Sequence, residues 1–190
     1  LVFSSYFQSY YKKKDFLSIV SARAGNVIGG GDFKKDRIVP DLIKSLKNRK
    51  RIVLRNPKAT RPWQHVLEPL SGYLTLGQKL MDEELKSNLI PSWNFGPYKK
   101  NCKKVNFIVQ QFIKEWEANK QKIVFKRKKD FHETQLLSLN IEKAKKELLW
   151  EPRLTLNETV RFTVDWYKNY FSEKGAENIS DYQIQYYIDK

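Results

Sequence analysis

The sequence has few of the residues that build disulfides, metal sites or membrane spans. Cys102 is the only cysteine, so no internal disulfide can form, and a lone thiol fits the reducing cytoplasm, where we expect the protein to act. The two histidines, His65 and His132, are far apart and lack carboxylates or thiolates at helical spacing, which argues against a zinc site. No run of about 18 apolar residues is present, so we expect no membrane span.

Acidic residues are scarce beside basic ones. The chain has 21 Asp and Glu against 36 Lys and Arg, and its net charge is +15. Such an excess is typical of nucleic-acid-binding proteins, which displace counterions from phosphates. Here the excess is mostly lysine, spread along the chain, with YKKK, NRKR and KRKK as the only short runs. The pattern favours a solvated surface and leaves a basic nucleic-acid module as the weaker alternative.

Apolar periodicity predicts helices that alternate with short strands. A content of 41% hydrophobic and 14% aromatic residues is enough for a globular core. Helices are predicted over residues 1–14, 36–48, 65–85, 105–120, 140–150, 155–171 and 179–190. Strands are predicted over residues 16–24, 51–57, 92–97 and 122–125. Alternation of this kind indicates an α/β fold with parallel strands.

The amino end enters the helical pattern without a capping residue. Its first residue is Leu1, and the apolar spacing begins there at full strength. We therefore expect that the sequence starts inside a helix of a longer protein.

Four of the eight glycines lie in one segment between a predicted strand and a predicted helix. Gly25, Gly29, Gly30 and Gly31 lack the spacing of a dinucleotide fingerprint, and no Lys-Ser or Lys-Thr pair follows them, so a P-loop is excluded too. Two interpretations stay open. The segment is either a tight loop that needs positive φ angles, or a ligand-binding loop at the carboxyl end of a parallel strand.

Three stretches carry a resemblance to a known family. They are ARAGNVIGGGDFKKDRIVPD, IVLRNPKATRPWQHVLEPLSGYL and HETQLLSLNIEKAKKELLWEPRLTLNETVRFTVDWY. Together they closely resemble the carboxyl-terminal half of the CDP-glucose 4,6-dehydratases. These enzymes are extended short-chain dehydrogenases/reductases of the NAD-dependent epimerase/dehydratase type.

The resemblance implies a fold and a reaction. The fold would be the late parallel strands of a Rossmann domain plus a smaller substrate-binding lobe. Residues 1–36 would be the remnant of the NAD-binding domain, and residues 37–190 mainly the nucleotide-sugar-binding lobe, with residues 51–96 partly returning to the Rossmann sheet. The family converts CDP-glucose to CDP-4-dehydro-6-deoxyglucose with tightly bound NAD.

No catalytic residue is assigned to this chain. In the family the glycine fingerprint, an acidic and Lys pair and a Tyr-x-x-x-Lys couple precede the position of Leu1. The resemblance therefore implies an inactive carboxyl-terminal portion, and it leaves open a non-catalytic nucleotide-sugar-binding module or one half of a split enzyme. The amino-terminal helix would be part of the surface through which the intact family enzyme forms homodimers.

The resemblance also implies which residues bind the nucleotide sugar. Ala24 would lie beside the nicotinamide, and Asn26 and Arg37 would contact the substrate diphosphate. Arg61 would bind phosphate, for which its planar fork is better suited than a lysine. Arg37 retains an alternative as a solvated charge in the first turn of a helix.

Four further residues are implied at the nucleoside. Val53, Arg55 and Asn56 would lie near the cytosine, since an Arg plane can stack on a base and an Asn can pair with its edge. Glu133 would hold the ribose hydroxyls, with an exposed loop carboxylate as the alternative. His65 and Trp63 retain simpler interpretations, as a buried histidine with its hydrogen bonds made and as a core aromatic.

Overall fold

The computed structural model describes residues 2–11, 19–82, 92–125, 136–172 and 175–190. Within these ranges helices and strands alternate, which confirms the predicted α/β class. In chain order the elements are α1 (Val2–Tyr6), β1 (Ser21–Ala24), β2 (Asn26–Ile28), α2 (Ile38–Lys47), β3 (Ile52–Leu54), β4 (Thr60–His65), α3 (Leu67–Met81), β5 (Ser92–Phe95), β6 (Cys102–Lys104), α4 (Val105–Glu115), β7 (Ile123–Phe125), α5 (Glu142–Leu148), α6 (Leu156–Phe171) and α7 (Ala176–Asp189). A π-helical turn, Phe7–Tyr11, follows α1, and a 3-10 turn, Lys99–Asn101, precedes β6.

The strands form three small sheets. β1 pairs with β5 and β3 pairs with β7, both in parallel. β4 lies between β2, its parallel partner, and β6, its antiparallel partner. The carbonyl of Phe95 joins two of the sheets, because it accepts hydrogen bonds from Gly25 N at 3.3 Å and from Gln64 Nε2 at 2.9 Å. The carboxyl ends of β1 and β2 therefore lie beside β4.

Strand β4 was not predicted from the sequence. The prediction started a helix at His65, whereas His65 ends β4 and α3 begins at Leu67. Five of the six residues of β4 are buried, including Gln64 and His65, so the strand lacks the apolar run or the alternation that signals a strand. Pro62 fits because it lies opposite Cys102 at one end of the short β4–β6 ladder.

Helix caps follow the sequence closely in the carboxyl-terminal part of the chain. Thr155 and Glu158 form a capping box at the start of α6: the Thr155 Oγ1 accepts from Glu158 N, and the Glu158 carboxylate accepts from Thr155 N at 2.7 Å. At α5 the Asn140 Oδ1 accepts from Glu142 N at 2.9 Å, although Ile141 occupies the cap position. Local sequence therefore determines where both helices begin.

The main core lies between α2, α4, α6 and the sheets that contain β3 and β4. Among its fully buried members are Leu42, Ile52, Trp63, Ile108, Phe112 and Tyr167. A second cluster joins α3, β5 and α5 through Trp93, Phe95 and Trp150. Ile28, Trp63 and Leu42 belong to the main core, which therefore fixes the positions of β2, β4 and α2, the walls of the cavities described below.

The amino-terminal segment packs differently from the rest. The helix predicted over residues 1–14 is α-helical over Val2–Tyr6 and π-helical over Phe7–Tyr11, and none of these residues is buried. Tyr6 and Tyr10 are more than half exposed. In the described part of the chain, no helix combines the length and apolar content that a membrane crossing requires.

Candidate functional site

The glycine segment on both sides of β2 lacks side chains mainly because other parts of the chain pack against it. A Cβ on Gly29 would come within 2.8 Å of Val66 Cγ1, and one on Gly30 within 2.0 Å of Trp166 Cδ2. Only Gly31 among the four glycines of the segment has a positive φ, at 79°. Close approach by the chain itself, rather than a series of positive φ angles, therefore explains most of these glycines.

Two adjoining cavities open beside this segment. The first, of about 660 Å³, is bounded by the end of β1 and by β2 with its glycines. The second, of about 540 Å³, is bounded by one face of α2, by β3 with the loop after it, and by β4. Their shared wall consists of Asn26, Arg37, Ile38 and Trp63. A ligand with two linked parts could therefore occupy both.

The structure brings together six of the residues singled out from the sequence. All of them line the second cavity: Asn26, Arg37, Val53, Arg55, Asn56 and Arg61. Ala24 lines the first cavity. Glu133 lies outside the described residues. Residues from β2, the start of α2, β3 and β4 thus converge on one space, although they are well separated along the chain.

β2 and β4 place two of these side chains by their register. Asn26, the first residue of β2, lies opposite Trp63 of β4. Arg61 and Trp63 are two residues apart in β4, so their side chains point to the same side of the strand. Arg61 is buried, and its Nη1 donates to the carbonyl of Thr60 at 3.0 Å. Trp63 is anchored by a bond of 2.9 Å from its Nε1 to the carbonyl of Lys103.

The loop before α2 supplies carboxylates to two arginines of the cavity. Asp32 accepts from Arg37 Nη1 at 3.0 Å, and Asp36 accepts from Arg55 Nη2 at 2.5 Å. Asp36 has a φ of 64°, a conformation that Asp tolerates better than most residues. All four side chains are substantially exposed, so the pairs contribute little to stability. They hold the guanidinium groups at the cavity rim, where an entering anion can contact them.

The second cavity carries an excess of positive charge. Four cationic side chains line it, Arg37, Lys44, Arg55 and Arg61, against the two carboxylates of Asp36 and Asp41. An anionic ligand is therefore favoured there, and the arginine forks suit the paired oxygens of phosphate groups.

His65 lies behind the glycine segment. It is 1% exposed, and burial lowers its pKa to about 4. Its Nδ1 accepts from Leu67 N at 3.4 Å, and its ring packs edge-on against Phe162. The Nε2 atom has no hydrogen-bond partner among the described residues. The ring is thus neutral at neutral pH and has one of its two nitrogens bonded.

Sequence reasoning missed part of the second cavity. Asp41, Lys44 and Ser45 line it from α2, and Asp36 lines it from the preceding loop. The helical period could have revealed the first three, because they follow Arg37 at spacings of three to four residues and so share its face of α2. The prediction assigned only Arg37 to the site and did not consider the residues that share its face of α2.

Solved structures define the class of fold. The chain aligns with dTDP-glucose 4,6-dehydratase from Bacillus anthracis, solved in complex with NAD, at a TM-score of 0.70, 22% identity, and coverage of 94% of this chain and 51% of that one. It aligns with the epimerase Mth375 from Methanothermobacter thermautotrophicus at a TM-score of 0.72 and 22% identity, covering 95% and 49% of the two chains. The fold is therefore that of about half of an extended short-chain dehydrogenase/reductase with a Rossmann domain.

A curated sequence narrows this class. Over 191 aligned residues the chain is 38% identical to CDP-glucose 4,6-dehydratase from Salmonella typhimurium. The alignment covers 96% of this chain and 52% of that enzyme. The resemblance found in the three sequence stretches is thereby confirmed. The chain spans about half the length of the relative that it matches. No protein-family model matches the chain.

Proposed function

We propose that this chain is the nucleotide-sugar-binding portion of a CDP-glucose 4,6-dehydratase, with CDP bound in the second cavity. One observation carries the proposal. Six residues chosen from the sequence for contact with CDP-glucose, from four separate elements, line a single cavity with an excess of positive charge. The similarity to about half of the Salmonella enzyme supports the choice of CDP-glucose.

The diphosphate would lie at the wall that the two cavities share. Asn26 and Arg37 belong to that wall, and Arg61 lines the second cavity beside Trp63. An amide N–H and two guanidinium forks provide the donors that phosphate oxygens accept from. The glucose would then extend into the first cavity.

The cytosine would lie in the second cavity, between β3 and α2. The Val53 side chain is about half exposed and offers an apolar contact, and the Arg55 guanidinium can stack on the ring. The amide of Asn56 can pair with the base edge. Contact of Glu133 with the ribose stays a prediction.

The first cavity fits one end of NAD. Ala24 and Gly25 give it a wall of small residues, which leaves room for a flat nicotinamide ring next to the sugar. Bound there, NAD would supply hydride removal from the sugar and its return. This chain would contribute Ala24 from residues 1–36, the remnant of the cofactor domain, and residues 37–190 would mainly bind the nucleotide sugar.

In this proposal the chain binds the substrate, and the rest of the enzyme performs the chemistry. The intact protein would convert CDP-glucose to CDP-4-dehydro-6-deoxyglucose in the cytoplasm. It would form homodimers through the surface that includes α1, whose residues are all at least partly exposed here. By itself the chain would bind CDP-glucose without turnover, as either a binding module or one half of a split enzyme would.

Isothermal titration of the chain with CDP-glucose tests the proposal. We expect a saturable heat, and a loss of affinity of about tenfold on Arg55→Gln, because the stacking guanidinium is removed. Arg51→Gln is the matched control: it removes the same charge close to β3 from an exposed residue outside the cavity lining. The control should bind as the unaltered chain does.

Two outcomes would overturn the proposal. One is the absence of binding heat with CDP-glucose and with CDP. The other is binding to an oligonucleotide that weakens steeply with salt and is indifferent to free CDP, which would favour the basic nucleic-acid module.

A further inference from the structure

We propose that Asp41 selects cytosine over uracil in the second cavity by accepting a hydrogen bond from the amino group at C4 of the base. This inference rests on the proposed function, because it needs a pyrimidine nucleotide in that cavity. It adds a specificity residue that the sequence resemblance did not assign.

The position of Asp41 points to the base. Helix α2 buries Val39, Leu42, Ile43 and Leu46 in the core, and Asp41 is exposed. Asp41 lines the same cavity as Val53, Arg55 and Asn56, the residues proposed to contact the cytosine. Its carboxylate therefore belongs to the surface that a base in this cavity would face.

Hydrogen-bond chemistry separates Asp41 from its neighbours. Cytosine has an amino donor at C4, where uracil has a carbonyl acceptor. An amide carries both a donor and an acceptor, so the amide of Asn56 does not by itself discriminate between the two bases. The arginines and Lys44 only donate, which would favour uracil. A carboxylate only accepts, so it favours the amino group and repels the carbonyl.

Asp41 is the carboxylate of this cavity that is available for such a bond. The other one, Asp36, accepts from Arg55 at 2.5 Å. Among the described residues, none donates to the Asp41 side chain, and Ser45 Oγ bonds to its backbone carbonyl instead, at 2.9 Å. Asp41 thereby supplies a negatively charged acceptor without a bound donor among the described residues, which favours the amino group of cytosine.

A purely structural role for Asp41 makes a different prediction. Asp41 is the acidic residue in the first turn of α2, where it also stabilises the helix dipole. That effect changes the stability of the helix and leaves the relative affinity for two bases unaltered. The ratio of CDP affinity to UDP affinity therefore separates the two roles.

The test titrates CDP and UDP into the unaltered chain, Asp41→Asn and Asp41→Ala. We expect the unaltered chain to bind CDP about tenfold more tightly than UDP, as one charge-assisted hydrogen bond at a partly exposed site would give. In Asp41→Asn the ratio should fall to about one, because an amide can match either base. In Asp41→Ala the affinity for CDP should fall, and that for UDP should stay the same or rise.

Glu177→Gln provides the matched control. Glu177 is an exposed acid in the first turn of α7 and does not line either cavity, so this change should leave the CDP to UDP ratio unaltered. A preference for CDP that survives both Asp41 substitutions overturns the inference and leaves the proposed function intact. Failure of the unaltered chain to bind CDP overturns both.

Discussion

Two buried charges on either side of the turn from β4 to α3 have different surroundings. Glu68, in the first turn of α3, is 1% exposed, and Arg61, in β4, is 8% exposed. The bonds of Glu68 come from the chain: its carboxylate accepts from the backbone N–H groups of Arg153 and Leu154 and from the hydroxyl of Tyr187. Arg61 donates to the carbonyl of Thr60 and also lines the second cavity.

The surroundings of Glu68 form a closed network. Burial raises the pKa of Glu68, and the hydrogen bonds it accepts oppose that shift. The Tyr187 hydroxyl also contacts Ser71 Oγ at 2.8 Å, and Ser71 Oγ accepts from Trp150 Nε1 at 2.9 Å. This network joins α3, the segment after α5, and α7. The carboxylate of Glu68 therefore joins three parts of the chain, whereas Arg61 is the buried charge that we propose contacts a ligand.

The largest expected effect comes from removing the carboxylate of the closed network. Glu68→Ala would leave two backbone N–H groups and the Tyr187 hydroxyl without this acceptor, so we expect the free energy of unfolding to fall by about 4 kcal/mol. Urea unfolding followed by circular dichroism measures it, with the exposed Glu177→Ala expected within about 0.5 kcal/mol of the unaltered chain. In the folded fraction, the affinity for CDP should stay unchanged. A loss below about 1 kcal/mol would show that the network is not structural.

His65 is a third kind of buried titratable group. One of its ring nitrogens has no hydrogen-bond partner among the described residues, and it lines neither of the two cavities. Its pKa of about 4 in the folded chain lies below the ordinary 6.5, so protonation favours the unfolded chain. Its contribution to stability is therefore complete above pH 6.5 and is lost as the pH falls from 6.5 towards 4.

The variant His65→Gln lacks this titration. Between pH 7 and pH 4 the unaltered chain should lose about 3 kcal/mol more unfolding free energy than the variant does. Urea unfolding of both proteins at the two pH values gives the difference, in which the effects of carboxylates cancel. Equal losses in the two proteins would mean that His65 is accessible to water and is not part of the buried turn.

The sequence predicted those parts of the fold whose signals are local. The capping box of Thr155 and Glu158 and the apolar face of α4 lie within single elements, and both helices were predicted from the sequence. Strand β4 escaped prediction because burial of Gln64 and His65 depends on β5 and α6, which lie further along the chain. Position 30 requires glycine because the Trp166 ring packs against it, and this tertiary contact leaves no signal in the local sequence.

Most individual residues of the candidate site could be predicted from the sequence, but their arrangement around one cavity could not. Family resemblance supplied Asn26, Arg37, Val53, Arg55, Asn56 and Arg61, and the fold places them around one cavity. It did not supply Asp41 or Asp36, since the partners of a carboxylate depend on which arginines lie close to it in space. Pairing of Arg55 with Asp36 across the cavity rim is a tertiary contact of this kind.

The smallest expected effect concerns the other buried charge, and it is specific to the phosphate. Arg61→Lys keeps the positive charge and loses the planar fork, so we expect the affinity for CDP to fall about tenfold. Cytidine, which lacks phosphate, should bind the variant and the unaltered chain equally well in a competition titration. If Arg61 were structural in the way that Glu68 is, the affinities for CDP and cytidine would fall together with the unfolding free energy. A parallel loss of all three would therefore remove the distinction between the two charges.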